Sequence, residues 1–291
     1  MLRPLSFLVS IALVALMGAA APAFASHVGC GSIITTSTTL DSDVGPCAGD
    51  ALIVAASNIT LDLGGHTITG LGTGSGVRVA QQTGVVVRNG TITGFHEGLV
   101  LDEANGNTVT LLTLSDNVRQ GLVVAGSDDN LVDRNTIADN GGDAIRLGLS
   151  SGNDVRRNTV TNNVFGIGVA DGSTGNLIAR NNLSGNEQFG IAVFSGSNNN
   201  RLTSNTVVGT LAGDGINVAA DSSGSRLRRN TANSNGDDGI DVENPSTRVT
   251  ENTANNNVDL GIEAVPGTKD GGGNTASGNG NPAQCVGVSC S

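Results

Sequence analysis

An asparagine returns along this chain about every 23 residues. Its places are Asn89, Asn135, Asn158, Asn181, Asn205, Asn230, Asn252 and Asn274, with Leu112 in the one gap. A second column follows at Asn117, Asn140, Asn163, Asn186, Asn235, Asn257 and Asn279, with Thr210 as its exception. A glycine column comes next, from Gly76 through Gly121, Gly166 and Gly215 to Gly261, with Ala144 in one place. Asn and Gly are poor helix formers, so these are not helical repeats. A self-similar period of this size means stacked structural units.

Aliphatic residues keep the same period. One column is Val86, Val109, Val132, Val155, Ile178, Leu202, Leu227 and Val249. Another runs from Leu114, Ile137 and Val160 to Ala232, Ala254 and Ala276, which predicts a thinner core toward the C terminus. Two more columns follow the glycines, beginning at Val77 and Val79. They alternate with period 2, the mark of a strand with one buried face. Three short strands and three turns per period predict an all-β fold: a right-handed, single-stranded parallel β-helix of about nine to ten coils. One coil cannot bury its own inner face, so neighbours must stack. Each buried Val, Leu or Ile contributes roughly 1.5–3 kcal/mol. Asn and Gly are expected at corners that need left-handed backbone, and stacked Asn amides bond along a ladder. A leucine-rich repeat shares the period, but its asparagine needs a regular leucine frame, and Val and Ile predominate here.

The ends carry different signals. Arg3, the apolar run from Phe7 to Met17 and Ala23-Phe24-Ala25 predict a signal peptide over 1–25, hence a secreted protein, extracellular or periplasmic. The apolar run is too short to span a membrane. Export favours disulfides, and four cysteines allow three pairings. Cys30–Cys47 and Cys285–Cys290 would place one clip at each end. Residues 26–56 and 277–291 are read as caps on repeats 57–276, covering strand edges that would otherwise template aggregation. Loss of Arg3 with the signal takes the net charge from −11 to −12. That disfavours nucleic acid and anionic membranes as partners. The rod is expected to act as a monomer.

The opening "CGSIITTSTTLDSDVGPC", followed by "NITLDLGGHTITG", resembles exported right-handed parallel β-helix repeat proteins. The coils are similar to those of the pectin-lyase-like superfamily and of the NosD-type repeat domain. The resemblance spans nearly the whole mature chain. It implies the fold, while activity stays open because such folds host many functions. Known members include pectate lyases, polygalacturonases and alginate epimerases. The "DPHD" run of the epimerases is missing here, so their catalytic residues do not carry over. A NosD-like role in copper-enzyme maturation ranks lowest. The mature chain has no Met and few His, and with its cysteines paired it lacks soft ligands.

In such a fold, residues one period apart become lateral neighbours, so columns map the surface. His96, Glu97, Arg119, Asp143 and Arg146 fall on one side of three adjacent coils. They are the candidate catalytic set. Lyases and epimerases of uronates need a base and a positive group to hold the developing charge. His96 would serve as base or acid, Arg119 and Arg146 would bind the sugar carboxylate, and Asp143 or Glu97 would orient them. The competing reading is a set of solvated turn charges with an Arg–Asp pair. Asp214, Asp238 and Asp241 form a second cluster, a candidate metal site for which Ca2+ is the suited ion, because calcium takes clustered oxygens. Solvated acids splayed apart are the alternative. Arg134, Arg157 and Arg180 line a third column, spaced about one sugar apart, where an acidic polysaccharide would lie. Ion pairs with Asp133 or Asp154 are the alternative there. The function expected is binding of an acidic polysaccharide, with cleavage or epimerisation. The alternative is a non-catalytic structural or surface-interaction scaffold.

Overall fold

A computed structural model describes residues 28–291. The expected signal segment, 1–25, lies outside the described residues. Every regular element among those described is a short strand. Each coil visits three sheets in turn. Leu122–Ala125 lies in the first, Leu131–Asp133 in the second and Thr136–Ala138 in the third. One coil on, Asp143–Gly148, Asp154–Arg156 and Thr159–Thr161 repeat the path and pair in parallel with these. The first sheet runs through 12 strands, from Ser32–Ile34 to Cys285–Val286. Two strands, Val86–Thr93 and Thr108–Ser115, continue through the corner from second sheet to third.

The fold is the expected parallel β-helix, but it has about eleven coils rather than nine to ten. The difference arises at the ends. Ser32–Ile34, Thr38–Thr39 and Val44–Cys47 each pair in parallel with the following coil. The segment expected to cap the rod therefore winds as a coil itself, one without the Asn and Gly columns that mark the others. Both expected disulfides are present, Cys30–Cys47 and Cys285–Cys290, with Cα atoms 5.5 and 6.2 Å apart.

Alternation decides which side chains turn inward. Ile145 and Leu147 are fully buried, while Arg146 between them faces out. Two columns slip by one residue at the first regular coil. Val87, not Val86, pairs with Val109, and Gly90, not Asn89, pairs with Leu112. The core thins as expected, since Ala232 follows Val207 in register and Ala276 follows Ala254.

The asparagine ladders form, but their asparagines are not the left-handed residues. The residue before each takes that conformation: Arg134, Arg157 and Arg180 have φ of 56°, 54° and 55°. The ladder side chains instead satisfy buried backbone. Asn158 Oδ1 accepts from the backbone N–H of Asn135 at 2.9 Å and from its Nδ2 at 3.0 Å. Asn158 Nδ2 donates to the Val132 carbonyl and to Asn181 Oδ1, both at 3.0 Å. Each such bond contributes about 0.5–1.5 kcal/mol net. A third ladder, Asn107, Asn130, Asn153, Asn176 and Asn200, stands at another corner. The glycine column has its own cause. A Cβ on Gly190 would overlap Val207 Cγ1 and the Gly215 carbonyl, so close approach of coils, not positive φ, requires glycine there.

Candidate functional site

The outward positions of the first sheet make one long row. Arg146, Gly168, Ala192, Asn217, Asp241 and Glu263 are successive coil neighbours in it. Gly168 and Ala192 are too small to fill the surface, so a depression opens between Arg146 and Asn217. Asp143, Phe165 and Phe189 stand in line along one side. The two rings stack, with centroids 6.2 Å apart and planes 20° from parallel. Phe194 also borders the cleft, and the Arg146 guanidinium lies 5.7 Å from its ring centroid. The cleft has a volume of about 710 Å³, and Arg119 and Gln120 complete its lining at the Arg146 end. The remaining phenylalanine among the described residues, Phe95, is fully buried in the core.

Arg146 is held from two sides. Its Nη1 lies 3.4 Å from Asp143 Oδ2, and its Nη2 donates to Asp171 Oδ2 at 2.8 Å. Burial raises the Asp143 pKa, with Arg146 pulling against it. Of the five residues expected to act together, Arg119, Asp143 and Arg146 line the cleft, and His96 and Glu97 do not. His96 sits one coil away, where its carbonyl accepts the Arg119 N–H at 2.9 Å and its Nδ1 lies 3.1 Å from Glu97 Oε1.

Carboxylates gather at the far end of the cleft. Asn217 Nδ2 donates to Asp241 Oδ2 at 3.1 Å and lies 3.5 Å from Asp214 Oδ2 and from Glu243 Oε1. The Asp238 backbone N–H donates to Asp214 Oδ1 at 3.1 Å, and the Leu260 N–H to Asp238 Oδ1 at 2.7 Å. Burial is the main cause that pushes all three aspartates upward. Asp214 rises to about 6, with Asp237 adding repulsion. Asp241 rises to about 7, with Asp214, Glu243 and Glu263 adding theirs. Asp238 rises to about 8, helped by a hydrogen bond with Glu263 and by the charge of Asp214. The tightest group of oxygens is Asp214, Asp237 and Asp238, mutually within 4.8 Å. Asp237 joins Asp214 and Asp238 in this group, and Asp241 stands beside it, bonded to Asn217.

The third expected column is a turn. Asp133 lies 3.2 Å from Arg134 Nη1 and 2.9 Å from Arg157 Nε, so two of its three arginines already have a carboxylate. No ion pair involves Arg180 among the described residues. Sequence spacing pointed to Asp214 and Asp238 but not to the cleft itself. Its signal is the pair of small residues, Gly168 and Ala192, in an outward row of larger ones.

Wound coils, an outer cleft and acids at one end define a parallel β-helix with a surface site on its first sheet. The right handed beta helix region family matches residues 50–207, and the chain belongs to that family. No curated protein matches it in sequence. Solved structures share the fold. A variant of the periplasmic alginate epimerase AlgG is 17% identical, with a TM-score of 0.59 over 90% of this chain and 71% of that one. The Azotobacter vinelandii mannuronan C-5 epimerase AlgE4 A-module is 13% identical, with a TM-score of 0.53 over 88% and 76%. The catalytic domain of a GH87 alpha-1,3-glucanase, in complex with nigerose, is 14% identical, with a TM-score of 0.57 over 91% of this chain and 62% of that domain.

Proposed function

We propose that the protein is an exported, carbohydrate-active β-helix that binds an acidic polysaccharide along the first-sheet cleft and cleaves it at the acidic end. One observation carries this reading. A single cleft leads from two arginines, past stacked aromatic rings, to Asn217, whose amide reaches the carboxyl groups of Asp241 and Asp214 just beyond it, both raised toward neutrality. Arg119 and Arg146 receive a uronate carboxylate, a task suited to guanidinium. Phe165, Phe189 and Phe194 give sugar rings an apolar surface.

Glycoside cleavage needs one protonated and one ionised carboxyl group beside the bond. Near pH 7, Asp238 holds its proton while Asp214 is largely ionised. Asp238 acts as the acid that protonates the leaving oxygen and Asp214 as the nucleophile, since their oxygens lie within 4.8 Å and a base activating water would need a wider gap. Water then releases the glycosyl group from Asp214, with Asp238 taking its proton. Asp241 tunes both through charge. The named activities of the structural neighbours, alginate epimerisation and glucan cleavage, support a polysaccharide substrate. Epimerisation by His96 fits less well, because His96 pairs with Glu97 one coil beyond the arginine end, whereas Asp214 contacts Asn217, which lines the cleft.

Calcium is the ion that suits Asp214, Asp237 and Asp238, whose oxygens lie close enough to share one cation. It would compete with the protons that otherwise relieve their repulsion. The scaffold reading draws on Arg146, whose charge is already met by Asp143 and Asp171.

The test uses polygalacturonate and alginate, with and without calcium. New reducing ends report hydrolysis, ultraviolet absorbance reports elimination, and solvent proton exchange reports epimerisation. Reducing ends that vanish in Asp238→Asn support the proposal. Silence in all three assays on every polymer, with binding unchanged in Arg146→Ala, rejects it in favour of a scaffold.

A further inference from the structure

The second sheet carries a row of cations that the first-sheet cleft does not use. Arg201, Arg226, Arg248 and Lys269 occupy one register position in four successive coils. All four are exposed. No carboxylate forms an ion pair with any of them among the described residues, although acids outnumber bases 26 to 15 in the chain. Earlier coils put Val86, Thr108, Leu131, Asp154 and Leu177 at the same position, so the row is confined to the C-terminal third. Inward-facing Leu202, Leu227 and Val249 fix the direction of their neighbours, because strand alternation turns the flanking residues out.

The next outward position in these coils holds Thr203, Arg228 and Thr250. Between the two rows lies a groove of about 330 Å³, lined by Arg201, Arg226, Arg228, Arg248 and the two threonines. Among the described residues, Arg228 is the one cation of the groove with an acid partner, Glu251 at 3.2 Å. Like charges stacked at the coil rise of about 4.8 Å repel one another. Such a row costs stability in the free protein and is relieved by a partner of opposite charge with a matching repeat.

We propose that this groove is a second polyanion-binding surface that holds a strand of acidic polysaccharide parallel to the rod axis, with one sugar carboxylate per coil. The pitch argues for the partner. One coil rise is close to the length of one sugar, whereas a strand of duplex DNA advances about 3.4 Å per phosphate along the helix axis, and its phosphates wind around that axis rather than run straight along a row. The groove has no aromatic side chain on which a base would stack, as single-stranded nucleic acid sites do. Guanidinium groups match carboxylates two bonds at a time, and the threonine hydroxyls add donors for sugar oxygens. The surface would tether a long polymer while the separate first-sheet cleft works on it. It shares a ligand class with the proposed function but does not depend on catalysis in that cleft.

The experiment compares the full chain with its Arg226→Gln/Arg248→Gln and Arg201→Gln variants. The probe is a polygalacturonate fragment of about ten sugars, titrated at two salt concentrations. These residues are exposed, and circular dichroism checks that the coils persist. The proposal expects the double variant to bind at least about tenfold more weakly, with a shallower salt dependence, and Arg201→Gln to lose part of that. Phe189→Ala in the first-sheet cleft should leave this salt-dependent component in place, so failure of the cleft and failure of the groove can be told apart. Unchanged polygalacturonate affinity in the double variant overturns the proposal. So does equal or tighter binding of oligodeoxythymidylate lost in the same variant, which would assign the groove to nucleic acid. A change in sedimentation with unchanged glycan affinity overturns it too, assigning the row to contact between copies.

Discussion

The side-chain amide of Asn217 donates to Asp241 Oδ2 at 3.1 Å and separates that carboxyl group from Asp214 and Glu243. A neutral amide thus stands where a further acid would add to the repulsion. Asp214, Asp241 and Asp238 all have pKa values raised from 3.8, to about 6, 7 and 8. The folded state therefore binds more protons than the unfolded chain between pH 4 and 8 or so. Stability from these groups is fully present below their unfolded pKa and is lost as pH rises through the folded values. Chemical denaturation should show stability falling by a few kcal/mol, as an order of magnitude, from about pH 5 to pH 8. Asp238→Asn should flatten that slope, and Asn217→Asp should steepen it.

Calcium and protons oppose each other at the same oxygens. Millimolar calcium should raise the melting temperature more at pH 8 than at pH 5, because it replaces protons only once they have left. Asp237→Asn should reduce the effect, since Asp237 completes the close group with Asp214 and Asp238. An equal calcium response at both pH values would contradict the shared site.

Asn158 carries four hydrogen bonds of one ladder. Asn158→Ala leaves the Asn135 backbone N–H and one hydrogen of its Nδ2 without a partner at a buried corner, and takes one bond from the Val132 carbonyl. The expected loss is about 2–4 kcal/mol in a denaturant titration. Arg157→Gly, at the adjacent left-handed position, should cost far less, since glycine accepts that backbone freely.

Thr210 interrupts the second ladder, and its Oγ1 is buried without a partner. Its backbone N–H still donates to Asn235 Oδ1 at 3.1 Å. Thr210→Asn should restore the missing rung and raise stability by about 1 kcal/mol, seen as a higher denaturation midpoint.

Phe165 and Phe189 fill the two coils between Asp143 and Asp214. Removing either ring from the cleft should weaken oligosaccharide binding by about three- to tenfold, the range of one aromatic contact. Competition with sugars of increasing length should show the loss for tetramers and longer chains and little for dimers.

The fold was legible because burial imposes a repeat. Val132, Val155 and Ile178 must share an inner face, and the amides of Asn158 and Asn181 must reach the coil beside them. The first coil was hidden because Cys30–Cys47 and its flanking threonines lack those columns. The site was only half legible. Spacing placed Arg119, Asp143 and Arg146 together, since Asp143 and Arg146 share one strand and Arg119 stands in the coil before it. It could not tell that His96, one residue from Glu97, lies beyond the cleft edge. Nor could it show that Asp237 brings an oxygen within 4.8 Å of Asp214 and Asp238, because side-chain direction at a corner depends on local backbone, not on period. The unpaired row from Arg201 to Lys269 was present in the same alignment, one column away from the arginines that spacing emphasised.

Because every coil advances the chain by the same increment, the molecule measures length in whole steps. Arg146 and Asp241 are four steps apart, about 19 Å. Evolution or engineering can alter that separation only by inserting or removing an entire turn of the rod. The reach of the cleft along a polymer is in this sense digital: a lineage that gained one repeat near Phe189 would read one more sugar, with no fractional adjustment open to it.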